Sequence, residues 1–155
     1  MRKVSVLFLV LVVIVFAVGL EVSKAQTSQE KVFEKLSHDA YWAVNLYEAW
    51  LKNEVCLSLG DLNAGEERSG DITSGKLIQF YERYDKRAAK LYKKLSETSG
   101  VELDSVLIIT RYRVALQDVI RTLKKEKLTK QDSEVIADAY FALIKVGGQF
   151  YELQK

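Results

Sequence analysis

The sequence contains no proline, and it holds one cysteine, one methionine and one histidine in 155 residues. At average usage about eight prolines would be expected in a chain this long. A helical bundle with short connections is the class that needs them least, so helix is favoured before any pattern is read. The single cysteine, Cys56, excludes an intramolecular disulfide framework. It reads as a small buried hydrophobe on a helix, with an intermolecular disulfide or a reactive thiol as its functional readings. Because Met1 is the only methionine, a His/Met axial pair for haem is excluded, and no C-x-x-C-H is present. The lone histidine, His38, excludes the two Glu-x-x-His pairs that di-iron carboxylate bundles use. With Glu34 one turn before it, His38 is expected to be a surface residue.

A surplus of one charge is also missing. The formal net charge of +2 comes from the first 25 residues, where Arg2, Lys3 and Lys24 stand against Glu21. The remainder carries twenty residues of each sign, so net charge gives no argument for nucleic acid as a partner.

Catalytic motifs are incomplete. Gly70 to Lys76 follows G-x-x-x-x-G-K, but Leu77 stands where a Ser or Thr must hold Mg²⁺, and a polar loop precedes it instead of a strand. Ser28 to Lys31 fits S-x-x-K without companion elements. Asp61, Asn63 and Gly65 echo a calcium loop with the glycine one place early and Ile72 at the closing position. No nucleophile, acid/base pair or metal set is assembled, so neither an enzyme nor a cofactor is expected.

One long hydrophobic run is present. Met1-Arg2-Lys3 is a positive start, Val4 to Leu20 is apolar except for Ser5 and Gly19, and Ser23 and Ala25 suit a cleavage site. Residues 1–25 are expected to be a signal peptide or an uncleaved membrane anchor through residues 4–20, placing residues 26–155 outside the cytoplasm.

Residues 26–155 read as a single all-α domain, an antiparallel up-down four-helix bundle. Thr27 and Glu30 have capping-box spacing. The first stripe is Phe33, Leu36, Ala40, Ala43, Tyr47, Trp50 and Leu51, with Gly60 as the stop and a loop over 60–72. The second is Leu77, Tyr81, Tyr84, Ala88, Leu91 and Leu95, ended by Gly100. The third is Val106, Ile109, Tyr112, Leu116, Val119 and Leu123. Thr129 and Asp132 then cap a fourth stripe of Ile136, Ala139, Tyr140, Leu143, Val146 and Phe150. Val106 to Ile109 could pair as a buried strand, but no partner strand exists and it is read as helix.

Helices one and four hold more apolar surface than one buried face requires. Their surplus predicts an interface through Trp42, Leu46, Tyr140, Phe141 and Ile144, for a second copy or another protein. Arg83, Arg87, Lys90 and Lys94 predict a basic face on helix two, with local pairs such as Glu82 to Lys86. Tyr47, Tyr84, Tyr112 and Tyr140 fall at similar heights among alanines and outline a candidate pocket. The expected function is an exported, non-enzymatic interaction or structural bundle of the cell envelope; the alternative is a small-molecule binder or sensor built on the tyrosine layer.

Overall fold

The computed structural model describes residues 29–54, 72–98 and 103–154. Among these residues the protein is all-helical, with four helices and no strand. Helix α1 covers 29–54, α2 Ser74–Ser96, α3 Leu103–Leu123 and α4 Lys130–Glu152. The leader, Thr27, Cys56, most of the 60–72 loop and Gly100 lie outside the described residues. No described helix is long and apolar enough to cross a membrane.

Local chemistry sets two of the starts. Thr73 caps α2: its backbone is extended and its side-chain oxygen accepts from the Lys76 N–H. Gly75 and Lys76 therefore occupy the first helical turn, and Leu77 is buried in the core. Thr129 and Asp132 form the reciprocal box expected for α4, each side chain bonded to the other's backbone N–H. Val106 to Ile109 lies within α3.

Successive helices meet in opposite directions. Between α1 and α2, Asp39 meets Arg87 and Trp50 meets Ser74. Between α2 and α3, Asp85 holds Arg113 and Glu82 holds Lys124. At the α3–α4 corner Lys125 reaches Asp132, and farther along Tyr112 packs edge-on to Phe150. Helix α4 returns beside α1, with Phe150 near Phe33 and Tyr140 stacked on Tyr47.

The core is filled by Phe33, Leu36, Tyr81, Tyr112, Leu116, Leu143 and Phe150, all fully buried. The stripes read from the sequence are the inward ones, except that Leu91, Val106 and Tyr140 are only partly buried and Leu51 points outward. Leu51 is exposed, because it sits one step past Trp50, which takes the inward position at the end of α1. Glu82 is held by Lys124 across the α2–α3 interface, at 2.8 Å, in place of an ion pair with Lys86.

Candidate functional site

Helix α4 turns three different surfaces to its surroundings. Ile136, Ala139, Leu143, Val146 and Phe150 point into the core. Tyr140, Ile144, Gly147 and Tyr151 follow one another at steps of three and four along the flank toward α1. Gly147 permits the closest approach there: a Cβ on it would stand 3.5 Å from the Ala40 Cβ. With the helix backbones this near, Ser37, Ala40, Tyr41, Val44, Leu143, Ile144, Gly147 and Gly148 bound a shallow groove of about 260 Å³.

Large rings crowd the rim of that groove. Tyr41 is 63 % exposed and Phe141 65 %, and Ile144 and Tyr151 are exposed beside them. Phe141 lies 5.6 Å from the Tyr140 ring and Tyr41 5.8 Å from Trp42, both at steep angles. Folding does not require these side chains outside, since the core stripes of both helices are already buried without them.

The structure places the interface residues read from the sequence unequally. Phe141 and Ile144 stand on the shared α1–α4 face. Tyr140 is only partly exposed; its ring stacks on Tyr47 at 4.5 Å and its hydroxyl donates to Glu48 at 2.7 Å. Leu46 is packed against the core, and Trp42 continues the arc of Asp39 and Leu46 toward α2. Trp42 reaches the patch only through Tyr41, and its indole N–H donates to exposed His38 at 3.0 Å. Tyr41 belongs to the surplus apolar surface of helix one, and Tyr151 was missed in the sequence. Its signal was there: Tyr151 continues the Tyr140, Ile144, Gly147 spacing by one further turn.

The tyrosines do not form one layer. Tyr140 stacks on Tyr47, whereas Tyr112 packs on Phe150, ten residues farther along α4 and so about 15 Å along its axis. Tyr112 and Tyr140 thus lie at opposite ends of the set, a register that four stripes read separately cannot show. Tyr81 takes the missing place. Fully buried, it donates to the Ala43 carbonyl at 2.8 Å, and Tyr47, Tyr84 and Tyr140 all act electrostatically on it. Neither of the two surface grooves described for the protein is lined by the four tyrosines.

A buried polar cluster occupies the level between. Asp39, 1 % exposed, accepts from Arg87 at 2.6 Å through Oδ1, while among the described residues its Oδ2 and the buried Tyr112 hydroxyl have no hydrogen-bond partner. Burial raises the Asp39 carboxyl above its ordinary value, outweighing Arg87 and His38, which lower it. Burial first, then the Asp39 charge, pushes the Tyr112 hydroxyl far up.

Arg83, Arg87, Lys90 and Lys94 do share one flank of α2. Arg87 is withdrawn from it by Asp39, and Arg83 lies over the Phe80 ring at 5.4 Å. A larger groove, about 690 Å³, runs between α3 and α4. Comparison of the chain with protein-family models, curated proteins and solved structures gave no match.

Proposed function

We propose that this protein is a non-enzymatic interaction module that docks a protein partner, or a second copy of itself, through the face shared by α1 and α4. The carrying observation is that Tyr41 and Ile144, which bound the groove, and Phe141 and Tyr151, which lie one turn or two from it along α4, all stay exposed. Aromatic side chains are the residues most enriched at the centres of protein interfaces, and contiguous exposed apolar surface of this kind marks such sites. The apolar run at residues 4–20 supports export or anchoring, so the partner is sought in the cell envelope. In an up-down antiparallel bundle α1 and α4 would be neighbours, and among the described residues no other helix lies over Tyr41 or Phe141, which stay exposed.

The test is mass in solution together with capture from an envelope fraction. Wild-type protein should exceed its 17.7 kDa monomer mass on its own or retain a partner. Replacing Tyr41 and Phe141 together by lysine should abolish both while leaving helical circular dichroism unchanged. A monomeric wild type that retains nothing removes the reading.

A further inference from the structure

The groove between α3 and α4 is distinct from the α1–α4 face and has a different chemistry. Its floor is made of small apolar side chains, Ala115, Ala139, Ala142 and Val146, with Val114 half-exposed on one wall. From Arg111 to Arg121 it spans about 15 Å of helix. Its two ends differ in charge. At one end Arg111 of α3 and Lys145 of α4 stand on opposite walls, and among the described residues neither forms an ion pair. The other half holds Asp138 of α4 together with Asp118 and Arg121 of α3, which pair with each other at 2.6 Å.

We propose that this groove binds a single-chain anionic amphiphile, a long-chain carboxylate, with its head between Arg111 and Lys145. The alkyl chain lies on Ala115, Ala139 and Ala142, and Asp138 in the far half disfavours the reverse orientation. The volume falls within the range of small-molecule sites, and an apolar trough with a few polar groups gathered at one end is their usual make-up. Two cations without ion pairs among the described residues, one from each wall and in the same half of the trough, favour a carboxylate, since hydrogen bonds to a charged group exceed those between neutral ones. A docked helix is disfavoured by the same residues. Its side chains would have to seat against rims that carry Arg111, Asp118, Asp138 and Lys145, and charged residues are depleted at the centres of such interfaces.

Equilibrium dialysis of dodecanoate against the full chain, below the micellar range, tests this, with dodecyltrimethylammonium as the probe of opposite charge. Dodecanoate should bind saturably at one site and the ammonium probe should not. Arg111→Glu with Lys145→Glu should weaken dodecanoate by about tenfold or more. Ala142→Phe, which fills the trough, should do the same. So should Val114→Asp, which changes a half-exposed side chain and leaves the core intact. The double lysine variant at Tyr41 and Phe141 should bind as wild type, which separates this site from the α1–α4 face. The apolar run at 4–20 is common to every variant, so differences between them report the groove. Equal uptake of the two probes, uptake without saturation, or wild-type affinity in the Ala142 and Val114 variants would overturn the proposal.

Discussion

Two buried tyrosines show how differently one residue type contributes. Tyr81 and Tyr112 are both fully buried, but among the described residues only Tyr81 has a partner for its hydroxyl, the Ala43 carbonyl. A made hydrogen bond contributes about 1 kcal/mol net, and an unmade buried one costs about as much or more. Tyr81→Phe should therefore lower the unfolding free energy by about 1 kcal/mol and Tyr112→Phe raise it by about the same amount, as read from urea melts. The buried carboxylates oppose each other in the same way. Asp132 is held down to about 2 by the hydrogen bond from Lys125 and then by the backbone N–H and hydroxyl of Thr129. Its contribution is complete above its ordinary value of 3.8 and fades as the pH falls toward about 2. Asp39 is raised, so its contribution has the other sign, complete below the ordinary carboxylate value and lost as the pH rises through the raised one. Asp132→Asn should thus weaken the fold at neutral pH, with the difference from wild type closing in acid. Asp39→Asn should cost nothing at neutral pH. Melts between pH 2 and 8 distinguish the two variants.

At the scale of the element, α4 is the helix whose sequence departs furthest from what the helix itself prefers. Gly147 and Gly148 sit in its last turns, where each costs roughly 1 kcal/mol against alanine. Only Gly147 faces a neighbour, Ala40, and there a methyl group would meet ordinary van der Waals contact at 3.5 Å; around Gly148 the space is open. Gly148→Ala should therefore stabilise the protein by about 0.5–1 kcal/mol, raising the midpoint of thermal unfolding by several degrees. Gly147→Ala should gain at least as much stability, because its methyl group makes ordinary contact with Ala40, and by filling the groove it should weaken any association through the α1–α4 face. Both glycines bound the groove, so melting measures their effect on the helix and mass in solution measures their effect on docking. The start of α4 was legible beforehand, since Thr129 and Asp132 carry their spacing in the sequence. So was the helical state of Val106 to Ile109, which a strand would have left without a partner.

For the whole molecule, the arrangement decides which apolar residues are surplus. Burying a phenylalanine or tyrosine is worth roughly 1.5–3 kcal/mol, so lysine at both Tyr41 and Phe141 should weaken association by about 100-fold or more. Sedimentation of the two forms over a range of concentrations measures that shift. Four helices, their inward stripes and the surplus on α1 and α4 could all be read from the chain, because a helix repeats every 3.6 residues and each stripe is local. Periodicity does not say how far one helix slides past another. Register separated Tyr112 from Tyr140, brought Tyr81 beside Tyr47, and turned Leu46 inward and Trp42 toward α2. Asp39 and Arg87 meet, and Arg111 and Lys145 come to line the same half of one trough, only once the helices are packed. The helical class, the inward faces and the capped start at Thr129 were set by neighbours along the chain and so were legible in it, whereas the Thr73 cap was not read there. Tertiary structure alone decided which rings stay outside and where unpaired charges gather, because those depend on residues far apart in sequence being brought to the same height.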